Sequence, residues 1–435
     1  MKRYILFISL LAGLSALAQQ KTVSKTKAIS SHANTVAPKS KVLDSGIKEY
    51  PLYFKGFWLI IMDEATDELG NHMLVGRIKV LEKDEKKRDA FVNKAIHFSE
   101  SSEDDKDVII STDQNYKVIK ARPAYSSQVI SYHKKLKKFI IGGNEYGYGD
   151  SKESYVRKWQ PMITVVNLEQ QGEAYAVKND YSCYLKDLMI EEDKIHVLAA
   201  SEEDRYNHKL EIITVDLNKF HAAKEAYLPE ILDPVSHVIS ENNDRGRMEV
   251  SAVSKVGSDY YFSTSNLDQT HMIYKTHVYK FDGKILEDQP GFTYFSDSLY
   301  TDSHLMKMDG FSTDSSKGYV FLTQRIGFKE INLTKINTNF YVTKNSKIKL
   351  FNYIESAKMV TLTNGNIVVL SQNENKMWEY SVYNSDLTII KTIKTNLSDH
   401  YYPGKLKVTD EHTVESIFYD TKKLNGAVLQ YVAVH

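Results

Sequence analysis

Apolar and polar positions along most of this chain alternate in short runs, and almost no segment carries the 3.6-residue stripe of a helix. The stretch "WEYSVYNSDLTIIKTI" (378–393) shows the plan: strand-forming residues on either side of Asn-Ser-Asp predict an antiparallel hairpin. The same plan recurs at 108–121, 162–177, 211–228, 277–287 and 332–351. In several copies the turn opens on a hydrophobic-to-Asx step, at Asn167, Asp216, Asp282, Asn337 and Asn384. Asx side chains suit that position because they bond the backbone two residues on and tolerate left-handed angles. A further hairpin precedes each of these. Before the opening stretch it is "AKMVTLTNGNIVVLSQ" (357–372), whose Asn364-Gly365 is a strong two-residue turn signal. The predicted unit is therefore four antiparallel strands, A to D, starting near residues 57, 128, 184, 248, 305, 358 and 405.

Four-stranded units at this spacing give the chain a resemblance to β-propeller proteins over nearly all of residues 47–435. The resemblance implies an all-β domain of seven blades, with six or eight also compatible because 56–121 parses least cleanly. The last unit has only three strands before His435, and "IKEYPLYF" (47–54) precedes the first unit unassigned. The N-terminal strand is therefore expected to complete the last blade as its strand D, where Pro51 is tolerated because an outer strand can lack an N–H. The likeness is one of architecture only. Trp-Asp repeat endings are absent, the kelch-type Gly-Gly occurs once (Gly142-Gly143), and "STDQN" (111–115) lacks the glycine of a sialidase Asp box. No family's functional residues carry over.

Composition adds an address and removes several functions. Residues 1–18 combine Lys2 and Arg3, an apolar stretch and an Ala16-Leu17-Ala18 cleavage pattern, which reads as a Sec-type signal peptide and predicts a periplasmic or secreted protein. Residues 19–46 are polar and read as a disordered leader. Without Lys2 and Arg3, 54 basic residues face 56 acidic ones, a balance that offers no footprint for nucleic acid and no cationic face for an anionic membrane. No segment after the signal is apolar enough to span a bilayer. Cys183 is the only cysteine, which excludes an internal disulfide and a cysteine-built zinc site; it is expected to be a small buried residue. The acidic run 83–107 lacks the spacing of a calcium loop and reads as solvated. No motif names a cofactor or a metal.

In a propeller blade the A–B and C–D turns share one face of the disc, and the B–C and D–A loops share the other. The A–B turns here are terse, whereas the loops expected at 83–107, 142–160 and 228–247 are long, so the B–C/D–A face is the expected working face. Three constellations fall there. Acid and imidazole recur in D–A loops, as Asp233 with His237, Asp302 with His304, and Asp399 with His400. Such groups suit a metal site or acid–base chemistry at the channel mouth, or simply satisfy loop backbone and hold adjacent blades together. Tyr146, Tyr148 and Trp159, beside Arg157, could stack on a sugar or peptide, or pack on their own blade. Arg205, His208, His271 and Arg325 occupy successive B–C loops and could hold an anion, or be scattered surface charge. The leading expectation is a non-catalytic binder of a protein, peptide or glycan. A propeller glycan hydrolase or lyase using Asp302, His304, Asp399 and His400 is the alternative.

Overall fold

A computed structural model of the chain describes residues 41–53, 57–80, 105–148, 157–177, 182–202, 208–219, 235–242, 249–295, 306–349 and 357–434. Short stretches at 44–45, 125, 251–252, 257, 269–272, 284–285, 315–317, 326–329, 338–340 and 423–425 are excepted. Among these residues the strands form seven antiparallel sheets, six of which follow chain order from an inner strand A to an outer strand D. Blade 1 comprises Phe57–Thr66, His72–Val80, Asp105–Thr112 and Val118–Pro123, and blade 2 comprises Ser126–His133, Lys138–Tyr148, Arg157–Val166 and Gly172–Ala176. Blade 3 runs Ser182–Ile190, Lys194–Glu202, His208–Asp216 and Val235–Asn242. Blade 4 has a broken strand A (Glu249–Val250, then Ser254–Val256) before Asp259–Asp268, Ile273–Phe281 and Leu286–Phe295. Blade 5 is Met306–Asp314, Gly318–Arg325, Glu330–Ile336 and Val342–Lys349, and blade 6 is Lys358–Thr361, Ile367–Gln372, Met377–Tyr383 and Ile389–Ser398.

Blade 7 joins the chain ends. Its strands A to C are Tyr401–Asp410, Thr413–Asp420 and Gly426–Ala433, and its strand D is the N-terminal Lys48–Tyr53, with Pro51 opposite Val428. The expected closure is observed. Lys41–Val42, assigned from sequence to the polar leader, adds a short fifth strand on Lys48–Glu49, so strand D is not the outermost here. Pro51 lies beyond that two-residue pairing, where a missing N–H interrupts no ladder on its outer side.

The core is divided among the seams between blades. Met73, Val75 and Ile109 of blade 1 pack on Ile130, Phe139 and Ile141 of blade 2. Cys183 is buried between blades 2 and 3, as its apolar reading anticipated. At that seam a Cβ on Gly142 would meet Leu188 at 2.8 Å, so the single Gly-Gly of the chain serves close blade packing.

The Asx turns do more than reverse the chain. Asp113, Asn167 and Asn384 each accept the backbone N–H four residues on, at 2.9, 2.7 and 3.0 Å. The fourth residue of each turn is left-handed: Tyr116 (φ 60), Gln170 (φ 59) and Leu387 (φ 54). None is glycine and all three are buried, each inserted against the preceding blade. Leu387 joins Val320 and Leu333 of blade 5, Gln170 donates to Ile109 O and Ser111 Oγ of blade 1, and Tyr116 faces blade 7. A non-glycine residue in this region costs on the order of 1 kcal/mol, offset by about 1.5–3 kcal/mol for fully burying a large apolar side chain.

A second device recurs on strand A. Past a bulge, the Asp63 carboxylate accepts the N–H of Glu64 at 2.8 Å and that of Ile130 in blade 2 at 3.0 Å. Asp187 does the same two blades on, accepting from Leu188 at 2.8 Å and from Val253 of blade 4 at 2.9 Å. Charge-assisted hydrogen bonds thus staple neighbouring inner strands around the channel.

Candidate functional site

On the B–C/D–A face, the structure redraws the loops from which the candidate residues were taken. The expected loop 142–160 is mostly ladder, because strand B of blade 2 continues to Tyr148 and strand C begins at Arg157. Tyr146 pairs with Trp159 and Tyr148 with Arg157, so all four are strand positions on one tall hairpin. His208 opens strand C of blade 3, and Arg325 closes strand B of blade 5. The expected D–A loop 228–247 contains strand D of blade 3, and His237 pairs there with Ile212. The long connection of blade 3 is therefore C–D, on the opposite face, because Val235–Asn242 rather than residues before 228 supplies the outer strand. Asp233, Arg205, His271, Asp302 and His304 lie outside the described residues. Asp399 is exposed, 3.8 Å from Lys376 Nζ, while His400 Nδ1 is 2.6 Å from Ser398 Oγ and its ring lies against Tyr401.

Trp159 is partly exposed and also packs on a neighbouring blade. Its ring centroid is 5.6 Å from that of Tyr184, on strand A of blade 3, and its backbone N–H donates to Ser182 Oγ at 3.2 Å. Lys186 Nζ lies 5.9 Å from the Tyr184 centroid. Trp159 and Tyr184 are partly exposed and Lys186 is exposed. A tilted aromatic pair beside an ammonium group, at the channel end of a seam, can stack on a planar or sugar ring and orient an anionic substituent.

The densest polar cluster lies elsewhere, at the seam where blade 7 meets blade 1, towards the A–B/C–D face. Glu64 Oε1 accepts from the His72 ring at 2.6 Å, from Tyr116 Oη at 2.9 Å and from Tyr431 Oη at 3.1 Å. The two tyrosine hydroxyls also bond each other, and the His72 and Tyr116 rings stack at 4.0 Å. From strand A of blade 7, Lys405 bonds the Asp63 carboxylate and Lys407 bonds the Glu64 carbonyl. Lys407 also lies 3.4 Å from Glu415 Oε2 and 3.7 Å from Asp63 Oδ1. Glu64 and Glu415 are each 1% exposed. Sequence reading passed over this cluster because its members are single residues on separate strands at both ends of the chain. The one usable signal was the charge at inward strand positions, as in Glu415 between Val414 and Ile417.

The two carboxyl groups are driven apart. Burial alone raises the Glu64 carboxyl, but His72 and Lys407 outweigh it and lower it to about 2. Burial and the Glu64 charge push Glu415 well above the carboxylate range. Burial opposes the Lys407 ammonium, yet Glu415, Asp63 and Glu64 together hold it charged. Apart from the Lys407 ion pair with Glu415 Oε2, no N–H or hydroxyl is hydrogen-bonded to Glu64 Oε2 or to either Glu415 oxygen. A proton on Glu415, donated to Glu64 within hydrogen-bonding reach, satisfies the pair and balances the cluster: Asp63 and Glu64 against Lys405 and Lys407. Among the described residues, no group of three or more His, Cys, Asp or Glu side chains is arranged to hold a metal ion.

No protein-family model matches the chain, and no curated relative does. Solved structures resemble it weakly. A COPII outer-coat vertex chain on membranes matches at TM-score 0.48 and 10% identity, covering 86% of this chain and 84% of its own. The N-terminal domain of Nup159 matches at 0.43 and 10%, covering 88% and 96%. The β-propeller domain of the trilobed protease from Pyrococcus furiosus matches at 0.41 and 10%, again covering 88% and 96%. The chain is a seven-bladed β-propeller on the evidence of its own sheets, and these likenesses name no function for it.

Proposed function

We propose that the protein is an exported, non-catalytic binding scaffold that takes a protein, peptide or glycan ligand on its B–C/D–A face. The observation that carries this reading is the partly exposed Trp159–Tyr184 pair beside Lys186, set across the seam of blades 2 and 3. A propeller core holds such a pair rigidly, so little ordering entropy opposes binding. Export rests on the composition of residues 1–18. The placement of Asp399 and His400, engaged with Lys376, Ser398 and Tyr401, supports a scaffolding part for that loop. The test is affinity capture from an envelope extract, run beside a glycan array, with the parent chain and with Trp159→Ala plus Tyr184→Ala. Ligands held by the parent should be lost at least tenfold by the double variant, since an aromatic anchor contributes upwards of about 1.4 kcal/mol. Identical ligand profiles would remove this pair, and the reading with it.

A further inference from the structure

Among the described residues, the exposed apolar side chains gather at one end of the blades. Ten large ones are strongly exposed among the described residues, and nine lie at the A–B/C–D end of their blades; Met62, at a strand A bulge, is the exception. Two adjacent pairs stand out: Tyr341 (71% exposed) with Val342 (46%) on blade 5, and Ile389 with Ile390 (54% each) on blade 6. Both pairs sit where an Asx turn delivers the chain into strand D. Tyr341 N–H donates to Asn337 Oδ1 at 3.0 Å, and Thr388 N–H to Asn384 Oδ1 at 3.0 Å. The turns thus present the apolar pairs on fixed backbone at the outer rim of neighbouring blades.

The charge around these pairs has one sign. Strands Val342–Lys349 and Ile389–Ser398 contain five lysines and no acid. Lys344 and Lys391 are exposed on the half nearest the apolar pairs, Lys347 is exposed further along, and Lys344 stands opposite Lys335 in register. Among the described residues the acid facing this half is Asp386, 3.8 Å from Lys335 Nζ; Asp314 belongs to the inner strand, at the channel. Glu330 and Glu379 lie further along, opposite Lys349 and Lys394. Elsewhere on the same face the turns are acidic, as in Asp67-Glu68 of blade 1 and Glu191-Glu192-Asp193 of blade 3, or basic but set against acid, as in Lys134–Lys137 of blade 2, where Lys135 Nζ lies 2.8 Å from Glu192. A chain whose charges cancel in total therefore carries a local basic, apolar-tipped sector.

We propose that the rim of blades 5 and 6 docks the protein on an anionic lipid surface. Lysines at the tips of an edge meet the headgroup charge, while Tyr341, Val342, Ile389 and Ile390 enter the interfacial layer. Lysine on an edge strand also deters strand pairing, but that purpose does not require paired apolar residues at the tips. Docked this way, the B–C/D–A face points away from the membrane and stays open to a ligand.

The probe is sedimentation of the full chain with vesicles of phosphatidylcholine alone and with 30% phosphatidylglycerol, at roughly 0.1 M salt where screening is moderate. Three variants are compared with the parent: Ile389→Ser plus Ile390→Ser, Lys344→Glu plus Lys391→Glu, and, as a control elsewhere on the face, Leu69→Ser plus Val235→Ser. All share the same N-terminal residues, so any contribution from these cancels. The parent should prefer the anionic vesicles. The lysine variant should bind them at least about 25-fold more weakly, about fivefold for each lysine lost, and the isoleucine variant roughly tenfold or more. The control should bind like the parent, and every variant should unfold at the parent's temperature. Failure to bind, equal binding to both vesicles, or no effect of the rim variants overturns the proposal. Binding to polyglutamate that is lost with the lysines but not the isoleucines would assign the rim to an acidic polypeptide, and equally overturn it.

Discussion

The seam between blades 7 and 1 and the seam between blades 5 and 6 both carry an apolar core and use one turn geometry, but they set different chemistry around the inserted side chain. In each, a C–D turn places a left-handed, buried side chain against the preceding blade. At blades 5 and 6 that side chain is Leu387, among Val320, Ile331 and Leu333, and the join is apolar. At blades 7 and 1 it is Tyr116, and around it Glu64, His72, Tyr431, Lys407 and Glu415 form a buried polar network. The apolar seam joins blades that are consecutive in the chain, so its loop-closure entropy is small. The other seam joins opposite ends of the chain and must select a single partner from seven similar blades. An apolar patch would accept several blades, whereas buried charges left without their partners are costly. Polar chemistry at the closure is thus a source of register.

Breaking the polar seam should have the largest effect. Lys407→Met removes the cation shared by Asp63, Glu64 and Glu415, leaving buried acids without compensation. A loss of about 3–5 kcal/mol is expected, read as a lower urea midpoint, and the chain ends should become the first site of proteolysis. Leu387→Ala tests the apolar counterpart. It empties part of a packed seam while keeping the left-handed backbone, and should cost about 2–4 kcal/mol. Leu387→Ala should leave the chain ends protected from protease, which separates the roles of the two seams. Equal protease sensitivity in both variants would dissolve the distinction between closure and ordinary packing.

How far the sequence revealed this architecture depends on whether a feature is periodic. The hairpins at 357–372 and 378–393 alternate cleanly and turn at Asn-Gly and Asn-Ser-Asp, so their strands were placed within a residue or two. Blade 3 broke the rule: its C–D connection holds 217–234, and the strand-like text before 228 drew the outer strand too early. Blade 2 showed the opposite error, since "GGNEYGY" (142–148) looks like a loop from its glycines yet pairs in register with 157–163. Cross-strand partners decide such cases, and they lie outside any local window. The polar seam was invisible for the same reason. Glu64 and Glu415 are separated by nearly the whole chain, and only ring closure brings them together.

The finest test of the comparison is the proton held at the closure. Glu415 has a folded-state affinity raised above its unfolded value of 4.5, so the folded chain binds more protons above that pH. Stability from this group therefore falls as pH rises from about 4.5 towards the folded titration point. Glu64 has the opposite sign: lowered to about 2, it contributes stability above 4.5 that is lost as pH falls towards 2. Because the two carboxyls interact, these are properties of the pair, and the seam is most secure in a window where a single proton is shared. Glu415→Gln keeps the shape and a donor for Glu64 but cannot ionise. Between pH 5 and pH 9 the parent's urea midpoint should decline more steeply than the variant's, by the equivalent of about 1 kcal/mol after partial relaxation of the seam. The Leu387→Ala protein retains the Glu415 carboxyl and should follow the parent's slope from a lower starting point. A parent and a Glu415→Gln protein with parallel pH profiles would mean that Glu415 is already ionised in the fold and that Lys407 alone holds the closure.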